Sequence, residues 1–370
     1  MRIGVPAEVK VHEYRVGLVP GGAAILVADG HEVFVQKGAG LGCDIPDEAY
    51  EAVGCTILPT ADEVWATADM IIKVKEPIAV EYPRMRHGQL VYTYFHLAAV
   101  PELATVLLEK EISAVAYETI QTPDGRLPLL QPMSEVAGRM SVQVAARCLE
   151  KEYGGRGVLL GGIPGVLPGK VVILGGGTVG TEAAKMAMGM GANVVVMDVN
   201  LHRLRYLDDV FGNRMRTLFS NPQTIADQVV NADVVIGAVL IPGARAPHLV
   251  TEEHLRSMND GAVVVDVSVD QGGCISTCRP TTHDDPTYVV EGVVHYCVAN
   301  MPGAVSRTST YGLTNTTLGY ARALAGRGFV EAVRLDESLA RGVNTHAGQV
   351  TCAPVAESLG LHFQPLDALV

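Results

Sequence analysis

Three glycines at G-x-G-x-x-G spacing, Gly175, Gly177 and Gly180, stand directly after the apolar run KVVIL and directly before a helical stretch rich in Ala and Met. A dinucleotide needs that context: one glycine for a tight turn, one so that backbone can approach a pyrophosphate, and one for close helix–strand packing. The helix start adds free N–H groups and the positive end of its dipole. Thr178, inside the loop, is a candidate phosphate contact. The next apolar run, NVVVMD, ends on Asp198. A carboxylate there would accept hydrogen bonds from ribose hydroxyls and repel a 2′-phosphate, which selects NAD over NADP. The bland alternative is a ligand-free glycine turn with an acid at a strand end, but strand, helix, second strand and terminal acid together point to a nucleotide. Arg203 is placed to reach the adenosine edge or to sit in solvent, and the spacing does not choose. Ser220, Val239 and Leu240 end or follow later apolar runs, where a doubly wound sheet opens its ligand crevice.

Hydride transfer to or from a small acid also needs a cation for the carboxylate, a polariser for the carbonyl or imine, and a proton carrier that titrates near neutrality. Candidates lie at the ends of apolar runs in the first third of the chain. Arg15, in EVKVHEYRVGLVP, has a planar fork able to grip a carboxylate with two parallel bonds. Lys75 closes MIIKVK, and His96 follows VYTYF ahead of an Ala-rich turn. Each has a plainer reading: a surface ion pair of Arg15 with Glu8 or Glu13, a pair of Lys75 with Glu76, a packing role for His96. Their shared placement at strand ends argues for a common site. Further on, Asp270 closes VVVDVSVD just before Gln271-Gly272-Gly273, while its rival Asp266 is expected mid-strand in a structural hydrogen bond. The stretch 300–303, Asn-Met-Pro-Gly, is a candidate nicotinamide edge, and Leu130 and Met133 are candidate pocket walls or ordinary packing.

The elements that must position these residues can be read from the pattern. Apolar runs alternate with helix-period segments, which predicts an α/β protein with mostly parallel, doubly wound sheets in two Rossmann-like domains. RIGVP, HEVFVQ, ADMIIKVK, QLVYTYF and SAVAYET read as strands of the first domain; KVVIL, NVVVMD, ADVVIGAVL and AVVVDVSVD read as strands of the second. A long helix from Met133, stopped by Gly154-Gly155, links the two, and another near Ser309 to Leu324 returns the chain. The first domain is therefore expected to be discontinuous, 1–130 with 307–370, around a nucleotide domain over 131–306. Length supports two cores: 370 residues, 48% hydrophobic and 18% charged, exceed one core and rule out disorder. A formal charge of −12 disfavours nucleic acid and anionic membrane surfaces as partners. No secretory leader or membrane helix is legible, and seven scattered cysteines suit a reducing cytoplasm. Cys274, Cys278 and His283 lack the second pair that would complete a zinc set, so no metal is expected.

The stretches RIGVPAEVKVHEYRVGLVP, IIKVKEP, YTYFHLAA, LLGGIPGVLPGKVVILGGGTVGTEAAKMA, VVVDVSVDQGGC and VANMPGAVSRTST resemble the bacterial L-alanine dehydrogenases, with the nucleotide-binding domain of proton-translocating transhydrogenase as a relative. The resemblance runs over nearly the whole chain; the region after Gly326 matches weakly and receives no role. It implies that Arg15 and Lys75 bind the substrate carboxylate and keto oxygen, and that His96 and Asp270 carry acid–base chemistry. It implies NAD contacts at Ser134, Thr178, Asp198, Arg203 and Ser220, and around Val239, Leu240, Val267, Asp270, Arg279, Val298 and Met301. Position 203 is commonly Lys in relatives. The implied reaction is NAD-dependent, reversible oxidative deamination of L-alanine to pyruvate and ammonia by a homohexamer, with the substrate held between the domains. Two other readings are a transhydrogenase-like subunit that only holds NAD(H) and a dehydrogenase for another small amino acid.

Overall fold

Runs of β-branched and aliphatic residues buried on both faces set the strands, because a parallel sheet covered by helices leaves no face for polar side chains. The computed structural model describes residues 1–239 and 246–370. The chain begins with six strands: β1 (Arg2–Val5), β2 (Glu32–Gln36), β3 (Thr56–Leu58), β4 (Met70–Ile72), β5 (Leu90–Thr93) and β6 (Ser113–Ala116). Helices cross between them, including Pro20–Ala28, which opens on the proline its first turn tolerates. Another is Ala61–Thr67, started by a capping box in which Thr60 and Glu63 exchange side-chain-to-backbone bonds.

After the helix Gln131–Cys148 come seven more strands: β7 (Lys170–Leu174), β8 (Asn193–Asp198), β9 (Arg216–Phe219), β10 (Val234–Gly237), β11 (Val263–Asp266), β12 (Thr287–Val290) and β13 (Val293–Tyr296). The 22-residue helix Ser306–Arg327 follows. The chain ends with β14 (Val343–His346), β15 (Gln349–Val350) and a short helix.

Two compact units result, one of Met1–Met133 with Gly303–Val370, the other Ser134–Pro302. Among the described residues the first unit holds an eight-stranded sheet of order β15-β14-β6-β5-β4-β1-β2-β3, in which β14 alone runs against the others, antiparallel to both β6 and β15. The second holds seven strands, β12-β13-β11-β10-β7-β8-β9, parallel except for β12. Both orders switch sides at their first strand, between β1 and β4 and between β7 and β10. A doubly wound sheet opens its crevice at such reversals, beyond the carboxyl ends of the strands.

Each unit has its own core. Val64, Trp65, Ile71, Val91, Phe95, Leu103 and Leu107 pack together in the first, and Val172, Val195, Val235, Val264 and Leu255 in the second. Each such side chain contributes about 1.5–3 kcal/mol by leaving water.

Several strands stop earlier than their apolar runs suggest, three of them next to candidate site residues. Sequence extends β4 to Lys75, β5 to Phe95 and β11 to Asp270, whereas the ladders end at Ile72, Thr93 and Asp266. In each case a carboxylate captures the amides that would have continued the strand. Glu8 accepts from the N–H groups of Val74 (2.7 Å) and Lys75 (3.3 Å), and Glu118 from those of Phe95 and His96. Asp266 accepts from those of Ser268, Cys274 and Ile275. Asp266 therefore closes its strand instead of lying mid-strand, and Asp270 sits beyond it in the 3₁₀ turn Val269–Gln271.

Candidate active site

The first unit gathers its chemistry-bearing residues after three adjacent strands, β1, β4 and β5. Arg15, in the segment after β1, is 2% exposed, so its charge must be met inside the protein. Glu13 meets it: Arg15 Nε donates to Oε1 at 2.6 Å and Nη2 to Oε2 at 2.5 Å. Nη1 donates to the Sδ of Met133 at 3.1 Å. Burial by itself would lower the Arg15 pKa, but Glu13 outweighs it and raises it. The Glu13 pair anticipated for the surface is thus a buried one. It occupies the Nε/Nη2 edge of the guanidinium. Met133, read as pocket wall or packing, is buried with its sulfur on the guanidinium.

Lys75 lies past the end of β4. Its N–H goes to Glu8 and its carbonyl accepts from Thr93 Oγ1 at 3.0 Å, so its backbone is held on both sides. Glu76 pairs with Lys10, and among the described residues the Lys75 ammonium makes no ion pair. Burial, then the positive charge of Arg15, lowers its pKa. Beneath it lies Lys73, fully buried, with Nζ 2.9 Å from Glu81 and 3.2 Å from Glu8. Sequence reasoning missed this triad, since strand alternation puts i and i+2 on one face and so cannot separate Lys73 from Lys75. The strand ends at Ile72, and Glu8 and Glu81 hold Lys73 inward while Lys75 is only half-buried.

His96 follows β5 in a left-handed conformation, φ 47° and ψ 40°. Its side chain is exposed, and its ring lies parallel to that of Tyr94 with centroids 5.8 Å apart. Tyr94 is itself buried and donates to the carbonyl of Leu129 at 2.6 Å. Burial pushes the Tyr94 phenol up, so it remains a neutral donor.

The second unit carries the glycine loop between β7 and the helix Thr178–Gly189. Gly175 has φ +102°, open to a glycine and strained for other residues. A Cβ on Gly180 would meet the Gly175 carbonyl oxygen at 1.8 Å, while one on Gly177 would meet nothing within 4 Å. Space at Gly177 beside tight contacts at the flanking glycines is the cradle a pyrophosphate needs, so the residues fit a dinucleotide.

Asp198 ends β8 as expected and turns its carboxylate back on the loop, Oδ2 accepting from Gly176 N–H at 2.6 Å and Oδ1 from Asn200 N–H at 2.8 Å. Arg203 is half-buried against the same loop. Its Nε donates to the Gly176 carbonyl at 2.5 Å and Nη2 to Thr181 Oγ1 at 2.7 Å, so it braces the glycine loop.

Ser220 follows β9 and ties its N–H to the Asp198 carbonyl at 3.0 Å; Val239 follows β10. Leu240 lies outside the described residues. Val267 donates to the Gly237 carbonyl just past β11, and Asp270 is exposed on its turn. Asp266, by contrast, is fully buried and also takes the Ser268 hydroxyl at 2.7 Å, which makes it the anchor of the loop bearing Asp270. Burial raises the Asp266 pKa. Arg279 is exposed, its guanidinium 4.3 Å from the centroid of Tyr288. Val298 and Met301 are buried beyond β13, and Ser134 is half-buried in the first turn of the helix Gln131–Cys148. All seven cysteines are free thiols.

Comparison with known proteins identifies the family. Residues 4–137 match the family model "Alanine dehydrogenase/PNT, N-terminal domain" and residues 141–353 its C-terminal counterpart. An alanine dehydrogenase of Methanococcus maripaludis is 56% identical over 99% of both chains. The solved structure of an L-alanine dehydrogenase superposes with a TM-score of 0.95 at 51% identity, covering 97% of this chain and 99% of the other. A transhydrogenase from Sinorhizobium meliloti superposes at 0.80 with 26% identity, over 95% of this chain and 99% of that one. With both of its units matched along nearly their whole length, the chain belongs to the alanine dehydrogenase/PNT family.

Proposed function

We propose that this chain catalyses the reversible oxidative deamination of L-alanine to pyruvate and ammonia, with NAD as the dinucleotide. The observation that carries the reading is the grouping of Arg15, Lys75 and His96 after three adjacent strands of the first unit. A protein that only holds nucleotide has no carboxylate to grip and no proton to move. Arg15 and Lys75 bind the substrate carboxylate and carbonyl oxygen, and the Glu13 pair keeps the guanidinium rigid during binding. His96 moves protons to and from the substrate nitrogen and oxygen, and Asp270 orients the water that adds to the imine. In the second unit, Gly175, Gly177, Thr178 and Gly180 hold the pyrophosphate and Asp198 the ribose. Bound NAD supplies the hydride acceptor. The Asp198 carboxylate repels a 2′-phosphate, which supports NAD over NADP.

Ser134, Ser220, Val239, Val267, Arg279, Val298 and Met301 complete the proposed cofactor contacts. Arg203 acts there through the loop it braces. Family resemblance supports a cytoplasmic homohexamer, whose mass light scattering measures. Among the described residues no helix is long and apolar enough to cross a membrane.

Following NADH absorbance with a panel of amino acids and both dinucleotides tests the reading. Turnover with L-alanine and NAD, and little with longer side chains or NADP, is the expected result. Nucleotide binding without turnover of any amino acid would favour the transhydrogenase-like alternative, and preference for another amino acid would reassign the substrate.

A further inference from the structure

Glu118 lies in the 3₁₀ turn Tyr117–Thr119 after β6, the neighbour of β5 in the sheet. Its carboxylate reaches across to the loop that carries His96. Oε1 accepts from the N–H of Phe95 at 3.1 Å and of His96 at 2.5 Å, and Oε2 accepts from Phe95 at 3.2 Å. Those are the first amides beyond the ladder apart from Tyr94, whose N–H goes to the Val74 carbonyl at 3.3 Å.

His96 is left-handed there, a region that a residue with a Cβ enters only when its surroundings over-determine it. The charge-assisted bond to its own N–H is such a determinant. The imidazole, by contrast, has no hydrogen-bond partner among the described residues; Tyr94 lies parallel to it, but nothing fixes its direction except the backbone it leaves from. Glu118 touches that backbone and makes no hydrogen bond to the ring.

We infer that Glu118 is a positioning residue for the proposed proton carrier. Its carboxylate holds the left-handed turn and thereby aims the His96 imidazole. This rests on the reading of His96 given above. A purely structural glutamate would lower activity whether or not the imidazole is present, whereas a residue acting through His96 loses its effect once His96 is gone.

The experiment is a double-mutant cycle on the full enzyme, with alanine oxidation, NADH fluorescence titration and thermal melting measured on every variant. His96→Ala should lower kcat roughly 10²-fold or more, with NADH affinity kept. Glu118→Ala should lower kcat about 10- to 100-fold, with the KM for alanine and the NADH affinity within about threefold, because misaiming a catalytic group costs on that order. Glu118→Gln, whose amide oxygen still accepts from one N–H, should retain more activity than Glu118→Ala. In the His96→Ala background either Glu118 substitution should change kcat by less than about twofold.

Full multiplicative losses in both backgrounds, or an unimpaired Glu118→Ala enzyme, would overturn the inference while leaving His96 in its role. If Glu118→Ala does not fold, the Glu118→Gln cycle is read by the same criteria. An unimpaired His96→Ala enzyme overturns the reading of His96, and this inference with it, from that single variant alone.

Discussion

A buried guanidinium is tolerable only when paired, and the pairing decides how Arg15 can act. Glu13 neutralises it, and removing either partner would strand the other charge at a cost of about 3–5 kcal/mol. Lys75 is the opposite case, a partly buried ammonium with no ion pair among the described residues, whose pKa is lowered by burial and then by Arg15. The sign of the consequence follows. A folded state that holds this proton more weakly than the unfolded chain gains stability as pH rises from the lowered value toward the ordinary lysine value of about 10.4. Substrate binding moves the other way, because the carboxylate needs the cation. The KM for pyruvate at saturating ammonia should therefore rise with pH before the ordinary lysine range is reached. Lys75→Arg, charged throughout, should lack that rise; an identical limb in both enzymes would remove Lys75 from the grip.

At the scale of elements, the same device recurs. A carboxylate from one loop captures amides at the end of a neighbouring strand: Glu8 beside Lys75, Glu118 beside His96. Asp266 does this for its own loop, the one that carries Asp270. The Glu8 and Glu118 bonds join residues 67 and 22 positions apart, so spacing could not reveal them. Run length misled because it cannot see such captured amides, and it extended β4, β5 and β11 past their true ends. The glycine loop, by contrast, is local and was readable, since Gly175 and Gly180 answer to the turn and to the helix packed on it. Gly180→Ala should therefore clash with immovable backbone, lowering stability by about 1–3 kcal/mol and weakening NADH binding roughly tenfold. Gly189→Ala, at the other end of that helix with nothing within 4 Å of the new carbon, should leave binding unchanged and stabilise by up to about 1 kcal/mol. Melting curves and NADH titration of the two variants check this, and equal effects would refute it.

Across the whole molecule, a formal charge of −12 opposes the approach of an anionic dinucleotide. The proposed phosphate cradle answers with backbone N–H groups and a helix start, donors that bond the phosphate in direct contact and release no counterions as lysines and arginines would. NADH affinity should accordingly stay flat, or tighten slightly, from about 0.02 to 0.3 M salt, because added ions screen only the long-range repulsion. A steep loss of affinity, measured by fluorescence titration, would mean that lysines and arginines carry the phosphates instead. Completion of the first sheet is likewise a property of the whole chain. β14 pairs with β6, and Val343, Asn344 and Thr345 are buried, although VNTH has too few apolar residues to read as a strand. The three-residue β3 and the half-exposed β9 escaped notice for a related reason: short strands on a sheet's flank bury little surface and leave little pattern.

The α/β class, the parallel sheets and the glycine loop were determined by sequence alone, because hydrophobic periodicity and glycine sterics are local and each residue carries its own share of them. The partner of each charge was decided only by tertiary structure. Whether Arg15 faces Glu13, Lys73 turns inward, or Arg203 braces a loop depends on which distant carboxylates and carbonyls the sheet order brings within about 3 Å, the reach of a hydrogen bond.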